Sequence, residues 1–260
     1  MADEEVDLVE TALVLAALDR PEGRIDDYRR HMMALAEDLG SIVHGAAGLS
    51  GKVDAIRAVI FDQHGYSGDA DTCDDMLNAN LMSVIDRRRG LSIALGILCI
   101  HTARSQGWDA VGVNFPSHFL VRLSWQDESA VFDPFNAAQI LDEEAQYRRL
   151  QEMYGDDVDP DLSHCRQMGN RDILLSLQNN IRLNALRGGK ADRALKVIET
   201  MVLLAPAQGD LRLDLAVLQA RSGNLKAAVY GLEEFLELPG AAEKHGDVAD
   251  FLQGLKGRLN

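Results

Sequence analysis

Residues 90–106 read Gly-Leu-Ser-Ile-Ala-Leu-Gly-Ile-Leu-Cys-Ile-His-Thr-Ala-Arg-Ser-Gln, and no other stretch restricts the fold as much. Ile93, Ala94, Leu95, Ile97, Leu98, Ile100 and Ala103 leave almost no polar side on the first turns. A helix that is apolar all round sits in the middle of a domain. A buried strand is also apolar, but the polar end from His101 to Gly107 makes the run too long for one. Gly107 then supplies a C-terminal stop. The one polar residue of the first turn is Ser92. A group placed there lies near the positive end of the helix dipole and several amides without intrahelical partners. A nucleophile benefits from that place, and a plain capping serine also occupies it.

Ahead of this run the spacing predicts helices over 5–18, from Ile25 through Leu39, over 52–62 and over 80–88. Asp26 and Asp27 fall in the first turn of the second helix, where the dipole favours them. Residues 63–75 read as a loop with Asp69, Asp71, Asp74 and Asp75 close together. A calcium loop of the EF-hand type needs a central glycine and a terminal glutamate, which this spacing lacks. A solvated acidic loop is therefore expected, as for Asp156, Asp157, Asp159 and Asp161. After the central helix the period changes to two. Residues 110–114, 118–124 and 129–133 are β-type runs joined by the turns Phe115-Pro-Ser117 and Trp125-Gln-Asp-Glu128. The expectation is an α+β domain, helices first and an antiparallel sheet after, with the central helix packed on the sheet.

Residues 173–258 carry an internal repeat. Gly189 and Gly223 stand 34 residues apart, as do Ala194 and Ala228, and Leu204 and Leu238. That is the tetratricopeptide (TPR) period. Arg187-Gly-Gly-Lys190 and Arg221-Ser-Gly-Asn224 are the helix–helix turns, and Pro206 and Pro239 close the second helix of each unit. Val248, Phe251, Leu252 and Leu255 form a last stripe expected to cap the stack. The domains are expected at 1–165 and 166–260. A plain helical bundle is the alternative for the second.

A net charge of −15 argues against nucleic acid or anionic lipid as partner. The opening Met-Ala-Asp-Glu-Glu-Val-Asp is the reverse of a secretory n-region, and no apolar run approaches the ~20 residues that span a bilayer. Cys73, Cys99 and Cys165 are odd in number and widely spaced, so neither a disulfide framework nor a zinc site is expected. These features predict a cytoplasmic protein with no membrane attachment. His64, His101 and His164 have no metal spacing. No cofactor and no metal are predicted.

Ser92 begins the buried helix, His118 begins a strand and Asp133 ends the next one. This is the chain order of papain-like and transglutaminase-like enzymes: nucleophile, base, then the group that orients the base. Adjacent antiparallel strands would hold His118 and Asp133 within hydrogen-bond reach. Three segments, Asn80–Leu95, Phe115-Pro-Ser-His-Phe-Leu-Val-Arg122 and Phe132-Asp-Pro-Phe-Asn136, resemble the SirB family of bacterial proteins. The resemblance covers nearly the whole chain. It implies a transglutaminase-like domain joined to TPR repeats. It also implies that Ser92 stands where an active transglutaminase has its cysteine, with His118 and Asp133 at the histidine and aspartate positions. The SirB family generally lacks that cysteine. Asn114 and Ser117 depart further, standing where glycines are usual in the family.

A thiol has a pKa of about 8.5, which a histidine or helix end lowers into the ionised range. A serine hydroxyl is far less acidic and needs strong general-base help and an oxyanion hole. The leading expectation is therefore a non-catalytic interaction or regulatory protein that binds a protein or peptide through its C-terminal repeats. The alternative is an amidase or peptidase using Ser92, His118 and Asp133. In the structural reading of the same residues, Ser92 caps the helix and Asp133 anchors an Asp-Pro turn. Cys99, seven residues past Ser92, is expected to be an inert core thiol. Arg87, Arg88 and Arg89 either bind a carboxylate or brace the neighbouring loop. The sequence does not determine the oligomeric state.

Overall fold

A computed structural model describes residues 3–72, 75–116, 118–154, 166–238 and 245–259. Cys73, Asp74, Ser117, the aspartates of 156–161, His164, Cys165 and Pro239 lie outside the described residues. The chain separates into two compact units, Met1–Leu177 and Gln178–Asn260.

The first unit begins with α1 (Leu8–Ala17), capped by the Asp7 carboxylate on the Glu10 amide, and α2 (Ile25–Ile42). α3 (Gly48–Arg57) runs into a π-helical turn over Ala58–Gln63. The segment expected to be a plain loop contains β1 (Ser67–Gly68), which pairs in parallel with β2 (Arg89–Gly90). Between them lies α4 (Leu81–Arg87), capped by Asn80 on the Ser83 amide. The central run is α5 (Ser92–Ser105), and every residue from Ile93 to Ile100 is buried. It packs against α1, α2, α3 and α4 and against the sheet, which is why none of its sides is polar.

The sheet has five antiparallel strands where three are predicted. β3 (Asp109–Phe115), β4 (His118–Trp125) and β5 (Glu128–Asp133) are the predicted ones. β6 (Gln139–Ile140) and β7 (Arg166–Met168) extend it to the order β6-β5-β4-β3-β7. β3 and β4 register from Phe115 opposite His118 to Asp109 opposite Ser124. Along β4, successive side chains point to opposite faces. Phe119 and Val121 meet α5 at Gly96, where an added methyl would overlap the Phe119 ring. A glycine inside a helix costs about 1 kcal/mol against alanine, and here it lets the helix axis approach the sheet. Leu120 faces the other way, into a cluster with Val113, Phe115, Leu141 and Leu150. Leu150 belongs to α6 (Glu143–Tyr154).

After β7 the chain enters α7 (Asn170–Arg187). The amides of Asn170 and Arg171 at its start donate to the two carboxylate oxygens of Asp3, each at 2.8 Å. Asp3 thus caps a helix more than 160 residues away, satisfying donors that helix starts leave open.

In the second unit α7 is followed by α8 (Ala191–Leu204), α9 (Gly209–Arg221), α10 (Leu225–Leu236) and α11 (His245–Leu259). Gly189 and Gly223 both adopt left-handed φ, 69° and 84°, at the two helix–helix turns. Ala194 and Ala228 are fully buried, as their spacing predicts. Ala216, Ala228, Leu232 and Phe235 share one core with Val248, Leu252 and Leu255 of α11. Phe251 corrects the predicted stripe: it is 38% exposed, because the buried face of α11 is set by positions 248, 252 and 255 and residue 251 lies at its flank.

Candidate functional site

The candidate residues meet where β4 begins and β5 ends. Asp133 is fully buried and His118 half-buried. The imidazole Nε2 stands 3.4 Å from Asp133 Oδ2, the two residues lying on the paired strands β4 and β5. Ser92 reaches the same strand end by another route. Its Oγ accepts the backbone N–H of Phe119, the residue after His118, at 3.2 Å. Ser92 does not cap α5. The N-cap is Leu91, which makes no side-chain capping bond, and the serine hydroxyl ties the helix to the strand instead.

Asp133 has more partners than the three-residue pattern implies. Oδ1 accepts the Phe135 amide at 2.9 Å, anchoring a 3-10 turn over Pro134–Asn136. Oδ2 accepts from Asn136 Nδ2 at 2.7 Å and from Arg149 Nη1 of α6 at 2.8 Å. Burial by itself pushes the carboxyl pKa up. Hydrogen bonds from His118, Arg149 and Asn136 outweigh it and bring the group down to about 2. Ala137 and Ala138 follow in left-handed conformation, φ 48° and 55°. Such a conformation is unfavourable by about 1–2 kcal/mol per L-residue. Arg57 of α3 holds this turn, with Nε on the Ala137 carbonyl at 2.9 Å and Nη2 on that of Ala138 at 3.2 Å.

The Phe135 ring meets the imidazole edge-on, centroids 5.9 Å apart. β1 crosses this ring at Gly68, where a Cβ would lie 2.6 Å from it, so only glycine fits. Asp69, expected in a solvated loop, is 3% exposed, which corrects that expectation. Its carboxylate takes Thr72 and, at 3.0 Å, Arg87 Nη2. The Thr72 hydroxyl, with Asn78 and Arg87 adding to it, holds the carboxyl below its ordinary range. Arg88 donates to His31 Nε2 at 2.6 Å and to the Tyr66 hydroxyl. Arg87 and Arg88 therefore brace the loop and the entrance to α5. Beside them the His64 Nε2 meets Asp38 at 2.7 Å, and the His31 and His64 rings stand edge to face at 5.5 Å. Burial, then the nearby charges of Arg88 and His64, lower the His31 pKa to about 4. Cys99 is buried and free, and burial pushes its thiol up, away from reactivity.

Sequence reasoning missed Arg149, Asn136 and His31. Asn136 closes the Phe-Asp-Pro-Phe-Asn motif and was legible there. No periodic signal marked Arg149: of its helix, Leu150 and the partly buried Ala145 join the core cluster, five residues apart. Among the described residues, no group of three or more His, Cys, Asp or Glu is placed to hold a metal ion. Among the same residues, no helix is long and apolar enough to cross a membrane.

A family model for the transglutaminase-like superfamily matches residues 26–179, more than half of the chain and all three candidate residues. The chain belongs to the transglutaminase-like superfamily. In this transglutaminase-like protein a tetratricopeptide repeat model matches residues 181–253. A UPF0162 protein of Xylella fastidiosa (strain 9a5c) is 30% identical over 239 residues, 91% of this chain and 85% of the relative. A UPF0162 protein of Vibrio cholerae is 28% identical over 140 residues, 52% of each chain. Mouse F-box only protein 21 is 37% identical over 84 residues, 32% of this chain and 13% of that protein.

Proposed function

We propose that the chain is a SirB-like, cytoplasmic, non-catalytic protein: a transglutaminase-like frame joined to repeats that hold a protein or peptide partner. It acts as an interaction or regulatory module. The observation that carries this reading is the state of Ser92. Its oxygen accepts the Phe119 amide at 3.2 Å, so one of its two lone pairs is engaged in holding helix to strand. The same atom is a hydroxyl, far from ionisation at neutral pH, where a thiol with a histidine beside it is close. Tetratricopeptide repeats commonly mediate protein interactions. Leu203, 80% exposed, and Tyr230, 64% exposed, are apolar side chains available for such a contact.

Partner capture with the full chain tests this, using chemical cross-linking and mass spectrometry. Wild type and Ser92→Ala are expected to retain the same partner, and Leu203→Glu/Tyr230→Glu to lose it. Loss of the partner on Ser92→Ala alone, or no partner with wild type, contradicts the proposal. One observation favours the second reading, an amidase or peptidase with His118 as base and Asp133 as orienter: the His118–Asp133 pair at 3.4 Å. That reading requires Ser92 to be labelled by a serine-directed acylating or phosphonylating probe.

A further inference from the structure

We infer that Arg149 is a positioning residue that withholds the Asp133 carboxylate from His118, so that this site is silenced at two places, the hydroxyl at 92 and the carboxylate at 133. The inference rests on the non-catalytic reading of the Ser92–His118–Asp133 site. In a working triad the buried carboxylate serves the imidazole: it fixes the ring and stabilises the imidazolium that forms. Here Oδ2 is shared. Asn136 at 2.7 Å and Arg149 at 2.8 Å are its close donors, and His118 at 3.4 Å is the most distant of the three. Oδ1 is taken by the Phe135 amide.

The position of Arg149 is built. Asp142 caps the start of α6 by accepting the Ala145 amide at 2.7 Å. Leu150, the next residue after Arg149, is buried among Val113, Phe115, Leu120 and Leu141. The guanidinium is 26% exposed and its carboxylate partner 0%, so water and salt screen the pair far less than a surface ion pair. The carboxylate of Asp133 from β5 stands beside the imidazole, and the same oxygen holds Arg149 from α6. Ser92 of α5 bonds the backbone of the next residue, Phe119, and the Phe135 ring meets the imidazole edge-on. With the guanidinium in place the carboxylate's charge is balanced. A proton on His118 would then face a neutral pair instead of an anion. The carboxylate still faces the imidazole Nε2 at 3.4 Å, with its charge shared by the guanidinium. Restoring a thiol at 92 alone therefore does not restore a thiolate–imidazolium pair.

The experiment uses the full chain in three versions: Ser92→Cys, Ser92→Cys/Arg149→Gln and Ser92→Cys/Arg149→Lys. Iodoacetamide alkylation at residue 92 is followed by peptide-resolved mass spectrometry from pH 5 to 10. This separates residue 92 from the three native cysteines. Ser92→Cys alone is expected to follow an ordinary thiol, with a midpoint near about 8.5. Adding Arg149→Gln is expected to move the midpoint down by at least one pH unit, about a tenfold rate increase at pH 6.5. Arg149→Lys is expected to move it back toward the single variant. A low midpoint already present in Ser92→Cys, or a midpoint that Arg149→Gln leaves in place, overturns the inference. The His118 imidazole titration, followed by NMR in wild type and Arg149→Gln, supplies a second readout independent of the introduced thiol. Its midpoint is expected to rise on losing the arginine, and no rise overturns the inference as well. Either failure leaves the non-catalytic reading intact, whereas probe labelling of native Ser92 removes that reading and the silencing with it, whatever the two midpoints do.

Discussion

Asp133 is a carboxylate that burial alone would drive toward its neutral form, and the donors around it reverse that. Its native pKa is about 2, against about 3.9 in an unfolded chain. A depressed carboxylate contributes stability that is complete above the unfolded value and is lost as pH falls through the folded value. The contribution is on the order of 2 kcal/mol, removed between about pH 4 and pH 2. Asp133→Asn is expected to lower the urea-unfolding free energy at pH 7 by roughly 3 kcal/mol, since Arg149 loses its buried partner. The deficit should narrow as pH approaches 2. His31 shifts the opposite way in charge. Its native pKa is about 4 and its unfolded value about 6.5, so between these the unfolded chain binds the proton more readily. Stability from the neutral ring is complete above about 6.5 and declines as pH falls to 4, by on the order of 2 kcal/mol after solvent screening. His31→Gln, which keeps an acceptor for Arg88, is expected to flatten that part of the curve, measured as urea midpoints from pH 7 to 4.

At the scale of elements, α5 is held against the sheet by the absence of a side chain at Gly96. Gly96→Ala gains helix propensity of about 1 kcal/mol but forces a methyl into the Phe119 ring, and overpacking of this kind costs about 1–3 kcal/mol. A net loss of about 1 kcal/mol is expected, seen as a thermal midpoint lower by a few degrees. Ala137→Gly should act the other way. This exposed residue with φ 48° is released from left-handed strain, and a gain of about 0.5 kcal/mol is expected in the same measurement. Which elements were legible follows from their physics. α5 declares itself because burial on every side requires an apolar residue at every position. β3, β4 and β5 declare themselves through alternation, and their adjacency made the His118–Asp133 pair readable. β1, β2, β6 and β7 are two or three residues long and carry no period, so they become strands only through their partners. α6 shows charged and amide residues around one deeply buried leucine, and with it Arg149 escaped notice. Asp69 looked solvated because its partner Arg87 lies 18 residues away, and no local pattern marks a distant ion pair.

At the scale of the whole molecule, a transglutaminase-like unit and a tetratricopeptide region follow one another in a strongly acidic chain. The joined architecture extends to a relative aligned over 91% of the chain. On the proposed reading, the first unit keeps the frame of acyl-transfer chemistry while the hydroxyl of Ser92 serves as a helix–strand tether. The most direct measurement is intact-mass analysis of the full chain after incubation with a fluorophosphonate, followed by peptide mapping, with Ser92→Ala beside it. The account predicts no adduct at residue 92 in wild type and the same spectrum for the variant. A stoichiometric adduct on Ser92 that disappears in Ser92→Ala would contradict it.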